Sequence, residues 1–221
     1  MIYNLLMKKI TTQKQIIALS KKLMKIQSTD GNVEEQKKCL EILVSVFGND
    51  FHVKKYKFGG NPALVLSTTK RKKVDLIVSG HMDVVPGDVS LFKPQEKGTK
   101  LFGRGSYDMK TALVASIFAV CDYRKSGGDK DIAILITTDE EVSGYGTQML
   151  LEKEKYQADF AFIPDGGNDT SIVLQQKGFI QLKVTIKGKS AHAMEQWKGD
   201  NPLSKVLSLS QYIENTFPGP T

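Results

Sequence analysis

The 221-residue sequence has few of the residues that cross-link small secreted proteins. It contains only two cysteines, Cys39 and Cys121. Both lie in stretches whose apolar spacing is typical of amphipathic helices, so a disulfide framework is not expected. We predict two reduced thiols at or near the core of a cytoplasmic protein.

Long apolar runs are also absent. No run approaches the roughly 20 residues that a membrane-spanning helix needs. The apolar stretch IYNLLM near the N-terminus is far shorter than the core of a secretory signal, and its lysines follow it rather than precede it. The sequence therefore predicts neither a membrane partner nor a secretory leader.

Positive charge is in slight excess but is not concentrated. The chain has 31 Lys and Arg against 24 Asp and Glu, a net charge of +7, and its 40% hydrophobic content is ordinary for a globular protein. The densest basic run, KRKK at 70–73, lies between two predicted strands. We interpret it as a solvated loop rather than a polyanion-binding patch, and expect no nucleic-acid partner.

Histidine is scarce, with only His52, His81 and His192. His52 faces away from the apolar side of its predicted strand. His81 ends a buried-strand run within LIVSGHMDVVPGD, and Asp83 points the same way because strand side chains alternate with period two. A sheet can present a metal ligand and its orienting carboxylate in this manner. A strand end that is merely capped explains the same two residues.

Apolar patterns predict an α/β fold. Helical spacing occurs over 12–27 and 34–47, with Asn32 as a candidate cap. The unalternating runs VDLIVSG, DIAILITT and DFAFIP are typical of strands covered on both faces. Each run ends in histidine or acid, and a further helix opens near an aspartate that could be only a cap. The residues at these ends are His81, Asp83, Asp108, Glu140, Glu141 and Asp165.

Residues at these positions suit a catalytic metal centre. Ligands bind at the carboxyl ends of the strands in an open α/β sheet. Nitrogen and carboxylate ligands without cysteine suit zinc, cobalt or manganese. A carboxylate can bridge two such ions, and one acid beyond the ligand set is then available as a general base.

Four motifs carry a family resemblance. They are SGHMDVVPGD, GRGSYDMKTALVAS, TTDEEVSGYGT and GKSAHAMEQWKGDNP. In order and spacing they resemble the co-catalytic zinc family of acetylornithine deacetylase, succinyl-diaminopimelate desuccinylase, aminoacylase and carboxypeptidase G2. The resemblance implies a three-layer, mixed-sheet, zinc-exopeptidase-like catalytic domain at 1–178. A ferredoxin-like α+β lid and dimerisation domain would begin at 179–221.

The resemblance also implies a role for each site residue. Asp83 would orient His81, Asp108 would bridge two zinc ions and precede a cis peptide bond, and Glu140 would be the general base. Asp165 is the less secure match, because its PDGG setting differs from the Glu-Pro of the deacetylases. The implied metal ligands are His81, Asp108, Glu141 and Asp165.

The last motif would belong to the lid. The resemblance implies that His192 stabilises the oxyanion in the site of a neighbouring subunit of a homodimer, and that Asn201 binds the substrate carboxylate. Without the resemblance, His192 is typical of a polar turn. Asp-Asn-Pro at 200–202 is similar to the desuccinylases, whereas Pro164-Asp165 is similar to the dipeptidases, so the substrate hints disagree.

Members of this family are longer than this chain, and a C-terminal histidine completes their second metal site. None of the three histidines here matches it, which leaves Asp108 and Glu141 for that metal. We therefore expect an N-terminal part of a metal-dependent amidohydrolase that acts on N-acyl amino acids or dipeptides. A truncated, catalytically silent protein used for binding or assembly is one alternative. A zinc aminopeptidase that acts on a free N-terminus is the other.

Overall fold

The computed structural model describes residues 2–166 and 182–217, together with residues 173, 175 and 178. The chain divides into two compact units, Met1–Ser171 and Ile172–Thr221. The helices are α1 (Ile2–Met24), α2 (Val33–Phe47), α3 (Lys110–Lys125), α4 (Tyr145–Glu152) and α5 (Pro202–Thr216). The strands are β1 (His52–Phe58), β2 (Asn61–Ser67), β3 (Lys73–His81), β4 (Gln95–Lys97), β5 (Lys100–Phe102), β6 (Ile132–Thr137) and β7 (Gln157–Phe162).

A mixed five-stranded sheet forms the centre of the first unit, with strand order β1-β2-β6-β3-β7. The pairs β1–β2 and β2–β6 are antiparallel, whereas β3 runs parallel to both of its neighbours, β6 and β7. In the parallel register, His81 lies opposite Thr137. The carboxyl ends of β3, β6 and β7 therefore meet at one edge of the sheet, and the predicted α/β class is confirmed.

Helices cover both faces of this sheet. Leu64 and Leu66 of β2 pack with α1, α2 and α3 in one buried cluster, whereas Val65 packs with Leu150 of α4 in a second cluster on the opposite face. All six residues of β6 are buried, as its unalternating apolar sequence predicts. Burial of each large aliphatic side chain contributes about 2 kcal/mol, so the two clusters fix the layers and the strand ends with them.

The outer strand β7 is less covered than its sequence predicts. Phe160 is 75% exposed and Phe162 is 53% exposed. Among the described strands, β7 pairs only with β3. The prediction of a strand covered on both faces is wrong for the described part of the chain, because no described element packs over these rings.

The second unit has little regular structure in its described residues. It contains a short 3-10 segment, Ala193–Lys198, the helix α5 and one isolated bridge between Lys189 and Asp200. The alternating apolar and polar residues of FIQLKVTIKG at 179–188 are typical of a strand, but 182–188 form none and 179–181 lie outside the described part. No residue of α5 is buried. The expected ferredoxin-like lid stays a prediction.

Two composition-based predictions can be compared with the structure. Cys39 and Cys121 are free and buried, as expected. The basic run at 70–73 lies mainly in the turn before β3, where Arg71 pairs with Asp131 and Lys72 with Glu154. None of the described helices is both long and apolar enough to span a bilayer.

Candidate metal centre

His81 is the centre of the candidate site. It is the last residue of β3, and its side chain is only 1% exposed. Its Nε2 lies 3.0 Å from Asp108 Oδ1, 3.7 Å from Asp165 Oδ2 and 3.8 Å from Glu140 Oε2. One imidazole nitrogen thus faces carboxylates from three separate chain segments.

The other ring nitrogen of His81 faces Asp83. Nδ1 lies 3.0 Å from the backbone carbonyl oxygen of Asp83 and 3.3 Å from its Oδ1. A proton on Nδ1 can be donated to that carbonyl, which leaves Nε2 free to act as a ligand. The geometry suits the orienting role expected of Asp83, with the backbone carbonyl making the shorter contact.

Asp83 also connects the end of β3 to the turn after β6. Its Oδ2 accepts a hydrogen bond of 3.0 Å from the backbone N–H of Glu141. In return, the Glu141 side chain accepts a 3.3 Å bond from the backbone N–H of Val85. Asp83 Oδ1 is also buried, and it lies 3.3 Å from His81 Nδ1. These two reciprocal bonds fix Glu141 beside His81.

The three consecutive acids after β6 have different surroundings. Asp139 is buried, and its Oδ2 accepts bonds from the backbone N–H of Gly146 at 2.8 Å and from Ser143 Oγ at 3.2 Å. A side chain at Gly146 would clash, because its Cβ would lie 2.6 Å from Asp139 Oδ1. Asp139 therefore anchors the turn, and Glu140 and Glu141 are the two acids that the turn presents to the site.

Asp108 approaches from the turn before α3. The helix begins at Lys110 after Met109, so Asp108 is not its cap, and the capping alternative is wrong. The described residues contain no cis peptide bond, so the cis bond expected after Asp108 is also wrong.

Burial and the carboxylates that cluster at the site shift the pKa values of several of its titratable side chains. Burial acts to lower the pKa of His81, but its hydrogen bond to Asp83 and the carboxylates of Asp83, Glu140 and Asp108 together raise that pKa to about 9. Burial, followed by the neighbouring acids, raises the pKa values of Glu140, Glu141 and Asp165. The site therefore stabilises an added cation, whether a proton or a metal ion.

The donor atoms are close enough to share an ion. The described residues contain two groups whose ligand atoms all lie within 4.8 Å of one another. One joins His81 to Asp108 and Glu141, and the other joins it to Glu140 and Asp165. An imidazole nitrogen with carboxylate oxygens is a donor set that suits a divalent transition metal.

Two predicted site residues belong to the second unit. His192 Nδ1 accepts a bond of 3.2 Å from the backbone N–H of Met194, at the start of the 3-10 segment. Asn201 Oδ1 accepts a bond of 3.0 Å from the backbone N–H of Leu203 and caps α5. Within their own unit, both side chains act as helix caps.

Sequence reasoning missed two buried polar residues that contact the segments carrying the proposed ligands. Lys110 is fully buried, and burial lowers the pKa of its ammonium group. Ser28 is also buried, and its Oγ donates a bond of 2.6 Å to the carbonyl of Met82. The only signal for Lys110 was its place two residues after Asp108 in GRGSYDMKTALVAS, since a lysine on a helix is ordinarily solvated.

Comparison with known proteins agrees with this geometry. Residues 77–216 match the family described as peptidase family M20/M25/M40. The chain belongs to this family. A probable succinyl-diaminopimelate desuccinylase of Staphylococcus epidermidis is 33% identical over 217 residues, which are 94% of this chain and 53% of the relative. A succinyl-diaminopimelate desuccinylase of Rickettsia canadensis is 32% identical over 160 residues, 65% of this chain and 42% of that protein.

Solved structures of M20 peptidases share the fold. Human carnosine dipeptidase 1 has a TM-score of 0.60 at 21% identity, over 70% of this chain and 39% of that chain. A tripeptidase of Staphylococcus aureus has a TM-score of 0.61 at 18% identity, over 88% of this chain and 55% of that chain. The present chain spans about half the length of the curated family members it matches.

Proposed function

We propose that the protein is a metal-dependent hydrolase that cleaves the amide bond of N-acyl amino acids or small peptides. The observation that carries this proposal is the cluster around His81 Nε2, with carboxylate oxygens of Asp108, Asp165 and Glu140 at 3.0 to 3.8 Å. Membership of the M20/M25/M40 family supports the same reaction class.

The residues present fit a divalent cation, and zinc is the ion proposed. A bound cation would acidify a water molecule and polarise the scissile carbonyl. We assign His81, Asp108 and Asp165 to one ion, and Asp108 with Glu141 to a second. The second set lacks a neutral nitrogen donor among the described residues, so we expect weaker binding there. Cobalt or manganese suits the same donors.

Glu140 is proposed as the general base. Its side chain is 50% exposed, so water and substrate can reach it, and burial and neighbouring acids raise its pKa. A carboxylate with a raised pKa is a better proton acceptor near neutral pH, and it can later return the proton to the leaving amine. Glu140 also belongs to one of the two groups of possible metal ligands, so metal binding is the alternative to its role as general base.

The roles of the second unit rest on the family resemblance. We propose that residues 179–221, which belong to this unit, are the first part of a lid through which two subunits pair. His192 would donate a hydrogen bond to the oxyanion, and Asn201 would bind the substrate carboxylate. The named relatives include desuccinylases and a dipeptidase, which is why both N-acyl amino acids and dipeptides are proposed as substrates.

A glutamate substitution tests the proposal. Glu140→Gln keeps the shape but removes the base, so we expect metal content to be unchanged by elemental analysis and turnover to fall by at least about 100-fold. The matched control Glu41→Gln, on the exposed surface of α2, should leave both unchanged. Loss of metal in Glu140→Gln would instead make Glu140 a ligand.

The substrate panel distinguishes the alternatives. If the protein is a deacylase, it should cleave N-succinyl and N-acetyl amino acids. If it is a dipeptidase, it should cleave unblocked dipeptides. Cleavage of free peptides of every length, with none of blocked ones, would indicate an aminopeptidase. Stoichiometric metal without any turnover would indicate a silent protein that keeps the fold for binding.

A further inference from the structure

Lys110 is a buried cation with an unusual set of partners. It is the largest of the fully buried side chains, and its Nζ donates bonds to the carbonyl oxygens of Leu23 at 3.0 Å and Ile26 at 2.9 Å. Within the part of the chain that the structure describes, no carboxylate lies within ion-pair distance of Nζ. Burial of an ammonium group costs several kcal/mol unless its donors are satisfied.

The two carbonyls explain how the charge is tolerated. Leu23 belongs to the last turn of α1, where backbone carbonyls lack helical partners and the helix dipole is negative. The ammonium group therefore caps α1 from inside the protein. It also fixes where the chain leaves that helix on its way to Ser28.

The segment after α1 contacts the backbone on both sides of Asp83. Ser28 Oγ donates to the Met82 carbonyl at 2.6 Å, and the Ser28 carbonyl accepts from the Val84 N–H at 3.2 Å. Asp83 is thus held between two hydrogen bonds from one residue. Its own carboxylate in turn holds the Glu141 backbone.

Lys110 also belongs to the segment that carries Asp108. Its stem packs against Gly105, where a Cβ would lie only 2.9 Å from Lys110 Cδ and where φ is +79°. The backbone N–H of Thr111 closes the same turn on the Gly105 carbonyl at 3.3 Å. A single side chain therefore joins the turn that presents Asp108 to the segment that brackets Asp83.

We propose that Lys110 is a positioning residue for the metal centre, setting the distance between Asp108 and the His81–Asp83 strand end while touching neither metal nor substrate. This inference rests on the proposed metal site. Without the ammonium group, the two segments would still pack, but the two hydrogen bonds from Lys110 to the Leu23 and Ile26 carbonyls would be lost. The ligand atoms would then drift from the spacing that one ion requires.

The test is the metal dissociation constant of Lys110→Met, measured by calorimetric titration of the metal-free protein with Zn²⁺. Methionine keeps the length and apolar stem but cannot bond the α1 carbonyls, so we expect metal affinity to fall 10- to 100-fold. Ser28→Ala, which removes the side-chain bond to the Met82 carbonyl and leaves Lys110 in place, should weaken affinity in the same direction by less. It tests the inference even if Lys110→Met fails to fold.

The control separates positioning from general destabilisation. Leu150→Ala removes a fully buried side chain from the cluster on the other face of the sheet, and should lower the melting temperature of the protein. We expect its metal affinity to stay within about threefold of wild type. If the Lys110→Met and Ser28→Ala variants both bind Zn²⁺ as tightly as the wild-type protein, the positioning inference is overturned and the proposed function is not affected. A wild-type protein that binds no metal would overturn the proposed function as well.

Discussion

At the scale of the residue, the chemistry centres on one imidazole with a carbonyl on one side and acids on the other. Asp83 faces Nδ1, while Asp108, Glu140 and Asp165 surround Nε2. This arrangement attracts a cation before any substrate is present. The competition between a proton and a metal ion at Nε2 follows directly from it.

Stability of the metal-free protein should depend on pH through His81. Its pKa is about 9 in the folded protein and close to 6.5 when unfolded, so folding tightens proton binding. The resulting stabilisation is fully present below pH 6.5 and is lost as pH rises through 9. We expect the free energy of unfolding to fall by up to about 3 kcal/mol between pH 6.5 and 9, measured by urea denaturation in EDTA.

The metal-loaded protein provides the comparison. Because zinc replaces the proton on Nε2, saturating metal should remove most of this pH dependence. His81→Gln should remove it without metal. A metal-free curve that stays flat from pH 6.5 to 9 would show that His81 is not protonated in the folded state.

At this scale, sequence reasoning succeeded where the signal was local. Strand alternation placed His81 beside Asp83, and motif spacing selected Asp108 and Asp165, all of which the structure brings together. Apolar patterning alone did not separate the three acids of the turn after β6, and the roles expected of Glu140 and Glu141 came from the family resemblance. Their orientation depends on bonds from Gly146 and Ser143 to Asp139, which form only once the turn has folded.

At the scale of the element, β7 is an edge strand of the described sheet and carries exposed aromatic rings. Phe160 and Phe162 project from a strand that pairs, among the described strands, only with β3. Together with Ile163, which is 61% exposed, they form an apolar surface beside the edge of β7 that pairs with no described strand. Exposed apolar edge strands promote association with other chains.

We therefore expect copies of this chain to associate through β7. The double variant Phe160→Lys/Phe162→Lys should reduce the associated fraction in size-exclusion chromatography with light scattering, because charge on an edge strand opposes pairing. Since both rings are largely exposed, the melting temperature should change little. The control Phe102→Lys alters an exposed ring on β5, in the separate two-stranded sheet, and should leave association unchanged.

A comparison of β6 and β7 shows why element prediction worked only in part. Both strands are continuous apolar runs in the sequence. Only β6 is covered on both faces, because β2 and β3 flank it while helices lie above and below. The spacing of apolar residues in the sequence indicates that a strand can be buried. Whether other elements cover that strand depends on tertiary packing.

At the scale of the whole molecule, the two units differ in how much apolar surface they bury. The first has two buried clusters on a five-stranded sheet, whereas α5 buries none of its residues. Trp197, the one tryptophan of the sequence, is 77% exposed. The described part of the second unit thus has few contacts to stabilise it.

Limited proteolysis should reveal this difference. Trypsin should cut first in the 182–189 segment, at Lys183, Lys187 or Lys189, because it forms no strand and its backbone has few hydrogen bonds. A resistant fragment containing α1 to β7 should remain, identifiable by mass spectrometry. Cleavage within β3 or β6 at the same rate would show that the first unit is not the more stable one.

The strand order places the proposed ligands in different stages of chain growth. His81 ends β3, but its neighbours β6 and β7 come much later in the sequence, and Asp165 follows the last of them. A nascent or partly folded chain therefore offers an ion at most a fraction of its ligands. We infer that metal uptake comes after sheet assembly and does not nucleate it, so that bound metal would mark chains whose most distant strand pairing is complete.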